Sequence, residues 1–210
     1  MVSQLELINP ANGEKFRELP YHNWDEAKSL LIQAGNTQKQ WKHTEISERI
    51  HLVKAAMDYF RDNKHSIAED ITQQMGKPIS QSMNEVMGMI HRAEVCCDLA
   101  EDALKDITLP EANGLRRFIK REPLGVILDI AAWNYPLLIA VNVVVPAVLA
   151  GNTVAIKHSS LTPLCGIAFE DAFKHSGAPD GLVTSLIMDH HTTEQVIQSG
   201  LIHHMAFTGS

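Results

Sequence analysis

Between Glu122 and Lys157 the sequence reads EPLGVILDIAAWNYPLLIAVNVVVPAVLAGNTVAIK, and this stretch leaves few folds open. Val126-Ile127-Leu128 is an apolar run suited to a strand buried on both faces. A short turn, Ala132-Trp133-Asn134-Tyr135, leads to Pro136, whose fixed φ suits the first position of a helix. Leu137 to Ala150 is apolar except for Asn142, as in a helix enclosed on most sides. Gly151-Asn152 ends that helix, and Thr153 to Ile156 reads as a second buried strand closing on Lys157. Strand, helix and strand joined this tightly make a right-handed βαβ unit. Ligands of open parallel sheets bind beyond the carboxyl ends of the strands, so Trp133, Asn134 and Lys157 are the first candidates for chemistry.

The rest of the chain is consistent with that unit. At 210 residues it can bury a substantial core. A net charge of −7 argues against a general nucleic-acid binder. The basic cluster Arg116-Arg117 and Lys120-Arg121 interleaves with Leu115, Phe118 and Ile119, as on a solvated strand. Residues 124–150 are apolar enough to raise the question of a membrane span. Asp129, Asn134, Asn142, two prolines and the Gly-Asn break favour a buried βα unit instead. The N-terminus MVSQLELINPANGE has neither the basic start nor the apolar core of a secretory signal. The three cysteines, Cys96, Cys97 and Cys165, match no metal or redox spacing. An odd count without a signal is expected of reduced thiols in the cytoplasm.

Ile8 to Glu14 is turn-rich and reads as an edge loop or hairpin. Trp24, Ala27, Leu30, Leu31 and Ala34 recur at helical spacing and predict a helix over 24–41. Ile46, Ile50, Val53, Met57 and Phe60 predict another, with Thr44 as its cap. Ile67 to Met75 forms a third, closed by Gly76. After Pro78, apolar or small residues at 79, 83, 86, 90, 93, 97, 100 and 104 mark the longest. Its alternating steps could be a coiled-coil seam, but Cys, Ala and Met are weak zipper residues, and a long helix lying across its own domain is preferred. Beyond Pro110 strands alternate with helices: Leu115–Arg121, the βαβ unit, a helix over 162–175, a strand over 182–187, a helix over 192–198 and a strand over 203–207. The expected class is therefore α/β: a helical N-terminal part (1–108), a strand or hairpin arm (109–122) and a doubly wound parallel sheet (123–210). His190-His191 and His203-His204 invite a metal reading. Neighbours on one strand face opposite ways, however, and no metal is expected.

No G-x-G-x-x-G or phosphate-loop motif follows any strand, so physical reading alone stops at a nucleotide-type sheet with a site near residues 133, 157 and 209. Four motifs carry a resemblance beyond that: Glu122-Pro123-Leu124-Gly125-Val126, Trp133-Asn134-Tyr135-Pro136, Ala150-Gly151-Asn152-Thr153 with Lys157, and Phe207-Thr208-Gly209-Ser210. Their order and spacing resemble the NAD(P)-dependent aldehyde dehydrogenases, as do Ile8–Glu14 and Gly76-Lys77-Pro78. The resemblance covers essentially the whole chain and implies a Rossmann-like cofactor domain, a homo-oligomer and an aldehyde substrate. Asn134 resembles the amide that steadies the oxyanion of the reacting aldehyde; locally, an Asn before Pro136 would serve equally well as a helix cap. Lys157 resembles the residue that binds the adenosine ribose, where a solvated lysine at a strand end is the plain alternative. Ile130, Ala132 and Trp133 resemble cofactor-lining positions, and Gly209-Ser210 the turn that meets the cofactor phosphates.

The sequence also departs from the family pattern. Ala132 replaces the common Pro before Trp-Asn, and His158-Ser159-Ser160 replaces a common Pro-Ser-Glu. Losing that carboxylate removes the charge that would repel a 2′-phosphate, so the resemblance allows NADP beside NAD. Lys157-His158 is similar to the succinate-semialdehyde dehydrogenase branch. Glycines common after the third strand are replaced by Asp189, His190 and His191. The nucleophilic cysteine and general-base glutamate of the family lie downstream of the Phe-Thr-Gly-Ser turn. The sequence is accordingly read as an N-terminal, cofactor-binding portion, truncated before its catalytic domain and inactive by itself. A non-catalytic nucleotide-binding or interaction module is the alternative.

Overall fold

The computed structural model describes residues 4–209. The turn predicted at Ile8–Glu14 joins β1 (Gln4–Ile8) to β2 (Lys15–Pro20) in an antiparallel hairpin. Four helices follow: α1 (Trp24–Trp41), α2 (Ile46–Asp62), α3 (Lys64–Met75) and α4 (Ile79–Leu104). A second hairpin, β3 (Ile107–Ala112) with β4 (Leu115–Ile119), leads into β5 (Val126–Ala131), α5 (Pro136–Leu149), β6 (Thr153–His158), α6 (Pro163–His175), β7 (Val183–Ser185), α7 (His190–Gln198) and β8 (His204–Phe207).

The main sheet is parallel, in the order β7-β6-β5-β8. Its chain order runs outward from β5 to β7 and then returns to β5's other side, which makes the β5/β8 junction a topological switch point. Side chains alternate across each strand. Ile127 and Ala131 of β5 and Val154 and Ile156 of β6 join the larger core with α2 to α6. Val126 and Leu128 of β5 and Ala155 of β6 join the smaller one with α1 and residues of α7. The long helix α4 buries Val86, Ile90, Ala93, Cys97 and Ala100 against its own chain, as preferred over a zipper. Every residue of β4 is exposed.

Several boundaries differ from those predicted. Glu45, not Thr44, is the cap residue of α2, and its side chain makes no capping bond. The strand expected over 182–187 is buried throughout but pairs only over Val183–Ser185. His190-His191 opens α7 rather than lying on a strand. No helix among the described residues is long and apolar enough to cross a membrane.

Gly125 illustrates a residue fixed by local geometry. Its φ is +132°, and a Cβ there would lie 2.6 Å from the His203 ring. That ring is needed close by, because its Nδ1 accepts from the Val126 N–H at 3.1 Å.

Candidate functional site

Three strand ends converge at the switch point. Ile130 is in register with Lys157 on one side and Phe207 on the other. The chain leaving β6 is tied to β5 by Ser159 N–H donating to the Ala131 carbonyl, and the chain leaving β8 by Thr208 N–H donating to the Ile130 carbonyl, each at 2.9 Å. Between these ends and α7 lies a crevice of about 480 Å³. Ile130, Ala132, Trp133, Lys157, Ser159 and Gly209, all predicted from sequence, line it together. Ser160 is exposed and outside the lining, so the hydroxyl presented here is that of Ser159. Ser210 lies outside the described residues. A concavity of similar volume between α2 and α4 contains Lys54, Arg61 and Asp98, but its cations are already paired with Asp98, Asp58 and Glu94.

Lys157 is the unusual residue of the crevice. It is 9% exposed, and burial alone holds its ammonium below the usual lysine range. It has no carboxylate partner among the described residues. An ammonium on a largely buried side chain, without a partner among the described residues, is incompletely solvated, and an acceptor-bearing ligand in the crevice would offset that cost.

Asn134 stands immediately beyond the lining, next to Trp133, with its side chain exposed and without a protein hydrogen bond among the described residues. It is not the cap of α5. Tyr135 holds that position without a side-chain bond. The capping acceptor comes from α4: Glu85 Oε1 accepts from Leu137 N–H at 3.0 Å and, more weakly, from Leu138 N–H at 3.4 Å. A carboxylate suits a helix N-terminus, where unpaired N–H groups and the macrodipole favour negative charge. Glu85 Oε2 pairs with Lys77 in an ion pair whose side chains are 2% and 7% exposed. Lys77 Nζ also donates to the Asn134 carbonyl at 3.0 Å and sits 4.2 Å from the centre of the Tyr135 ring. The turn bearing Asn134 is thus pinned through its backbone, and the amide side chain remains available.

His158 braces the same turn from β6. It is 4% exposed, and burial pulls its imidazole down to about 4. Nε2 lies 3.0 Å from the Pro136 carbonyl, and Nδ1 lies 3.0 Å from Ser159 N–H and 3.0 Å from the Thr162 hydroxyl. A carbonyl only accepts and an amide N–H only donates, so the neutral ring carries its proton on Nε2. Nothing in the sequence signalled these braces, because Lys77 and Glu85 contact the turn across 57 and 52 residues.

The three cysteines stay out of the crevice. Cys97 and Cys165 are buried in helices, and burial pushes the Cys97 thiol up to about 11 and that of Cys165 further; Cys96, half-buried, is also raised. None has the lowered pKa of an activated thiolate.

An aldehyde dehydrogenase family model matches residues 2–210. The chain belongs to the aldehyde dehydrogenase family. It is 30% identical over 203 residues to a succinate-semialdehyde dehydrogenase [NADP(+)] of Deinococcus radiodurans, covering 97% of this chain and 42% of that protein. It is 32% identical over 204 residues to a succinate semialdehyde dehydrogenase [NAD(P)+] of Escherichia coli, covering 97% and 44%. Among solved structures, the NADP-dependent glyceraldehyde-3-phosphate dehydrogenase of Bacillus halodurans, complexed with NADP, aligns with a TM-score of 0.93 and 28% identity over 99% of this chain and 45% of that one. The chain therefore spans under half the length of these aldehyde dehydrogenases. Its crevice suits the dinucleotide such relatives use: an apolar floor of Ile130 and Ala132, an exposed Trp133 ring, and at one wall an ammonium unpaired among the described residues.

Proposed function

We propose that these residues form the NAD(P)-binding portion of an enzyme that oxidises an aldehyde to its acid. The observation that carries this reading is Lys157, buried and unpaired among the described residues, facing the switch-point crevice beside Ile130 and Trp133. NAD(P)+ supplies the hydride acceptor. The chain's own residues orient it: Lys157 and Ser159 hold the adenosine ribose, Ile130, Ala132 and Trp133 line its path, and Gly209 lets backbone approach its phosphates. As a nucleophile adds to the aldehyde carbonyl, negative charge grows on oxygen. The Asn134 side-chain N–H donates to that oxygen, a contribution of ~3 kcal/mol for a typical donor of this kind. The relatives' names support succinate semialdehyde as the substrate.

The described residues supply no nucleophile, since all three thiols lie away from the crevice with raised pKa values, and the 210 residues alone turn over no aldehyde. Their cofactor binding is weak, because the β8 side of the crevice is open: Met205 and Phe207 are 43% and 58% exposed. The exposed apolar side chains of β4, Leu115, Phe118 and Ile119, suit assembly into a homo-oligomer. Three unpaired thiols suit a reducing, cytoplasmic setting.

Titration with NAD+ and NADP+ under tryptophan fluorescence tests the reading. Saturable quenching with a Kd on the order of 1 mM is expected, and no reduced cofactor should accumulate when succinate semialdehyde is added. Micromolar binding would overturn the weak-binding claim, and steady cofactor reduction the claim of inactivity.

A further inference from the structure

The side of the crevice facing α7 holds a feature that the cofactor reading does not use. His190, the first residue of α7, lines the crevice with Lys157 and Ser159. Its ring is exposed, and neither ring nitrogen has a protein partner among the described residues. No Asp or Glu lines the crevice. The nearest acid in sequence, Asp189, is committed elsewhere. Its Oδ1 accepts from Thr192 N–H at 2.7 Å and caps α7, while its carbonyl accepts from the Thr193 hydroxyl at 2.6 Å.

The character of these groups decides what they fit. A bare ribose diol is well served by a carboxylate, which accepts from both hydroxyls. The crevice lining instead offers the ammonium of Lys157, the hydroxyl of Ser159 and an imidazole N–H of His190, all of which can donate. An ammonium without a partner among the described residues, a hydroxyl and an imidazole lining one crevice suit an anion with several acceptor oxygens, and charge-assisted bonds of that kind are the stronger ones.

We infer that His190, with Lys157 and Ser159, forms a corner that recognises a phosphomonoester on the adenosine ribose, so that the site selects the 2′-phosphorylated dinucleotide and His190 sets that selectivity. The inference rests on the cofactor reading above and specifies which cofactor the site prefers.

The test uses the adenosine half alone, which needs only this corner. Calorimetric titration of the chain with 2′,5′-ADP and with 5′-AMP is expected to show the former binding at least ~10-fold more tightly, about the worth of one charge-assisted bond. His190→Ala should bring the ratio close to one, and His190→Gln, which keeps a donor, should leave an intermediate preference. Lys157→Met should weaken both nucleotides and abolish the preference. Inorganic phosphate should compete only at far higher concentration than 2′,5′-ADP; equal competition would mean a general anion site and would overturn the inference. Equal binding of the two nucleotides, or an unchanged ratio in both His190 variants, would refute the role of His190 while leaving the cradle intact. Binding of neither nucleotide would refute the cradle, and the inference with it. Since His190 is exposed, an unchanged circular dichroism spectrum is the expected control for each of its variants.

Discussion

At the scale of single residues, two buried groups on the α5 face of the sheet titrate in opposite senses. Asp129 is 1% exposed, its Oδ2 has no partner among the described residues, and burial pushes its carboxyl up to about 7. His158 is drawn down to about 4. A raised carboxyl gives stability that is complete below the unfolded value of ~3.9 and is lost as pH rises through the folded one. A depressed imidazole gives stability that is complete above ~6.5 and is lost as pH falls through the folded one. Between about pH 4 and 6.5 the folded chain holds an extra proton on Asp129 and the unfolded chain one on His158, so the two effects cancel. Asp129→Asn removes one side of that balance. Urea unfolding of the variant should show stability rising by ~3 kcal/mol across this window, and the variant should exceed the parent at pH 8. A variant whose stability stays flat across the window would contradict the assignment.

At the scale of elements, α5 depends on its neighbours. It carries no capping side chain of its own, and both of its ends are satisfied from α1, α2 and α4. Glu85 accepts at its start. At its end Trp41 Nε1–H donates to the Val148 carbonyl and Arg49 to the Leu149 carbonyl, each at 2.9 Å. α6 is served similarly, with Gln74 Oε1 accepting from Leu164 N–H at 2.9 Å. The Lys77–Glu85 pair should therefore behave as a coupled unit. Lys77→Met alone strands a buried carboxylate and should cost about 3–5 kcal/mol, as measured by denaturant unfolding. In a double-mutant cycle, Lys77→Met with Glu85→Leu should cost clearly less than the two single changes added together. It should still cost about 1–3 kcal/mol, because Leu137 N–H loses its acceptor. Strict additivity would show that the pair does not act as a unit.

These two scales show what could be read from the sequence. Periodicity located α1 to α4 because each buries one stripe, and the apolar runs located β5, α5 and β6 because both faces of the sheet are covered. Turn chemistry at Gly76, Pro136 and Gly151 marked where elements start and stop. Thr44 was misplaced as a cap because local pattern cannot decide which residue has its backbone extended. The strand over 182–187 was overextended at its far end, where Leu186 N–H still donates to the Ile156 carbonyl of β6 but Ile187 turns away to bond His22, a change that an unbroken buried run does not reveal. Trp133 and Lys157 were found because they stand at the ends of recognisable strands, and Ile130 through the family resemblance. Glu85 was not, since a charge on an otherwise apolar helix face reads as an irregularity until its partners 52 residues on are known. His190 showed as a departure from the expected glycines and as half of a histidine pair from which no metal was expected, and Ser159 rather than Ser160 faces the crevice because of how the chain turns after β6.

At the scale of the molecule, the helical layer, the parallel sheet and α7 together leave one face of the strand ends open, and the account stands or falls on what enters there. An amide-resolved NMR titration of the chain with NADP+ tests this most directly. The expected result is saturable shifts confined to the strand-end crevice: the Trp133 indole, Lys157, Ser159, His190 and the backbone of Thr208 and Gly209. Shifts gathered instead around Lys54, Arg61 and His91 between α2 and α4, or no saturable shifts at all, would contradict it.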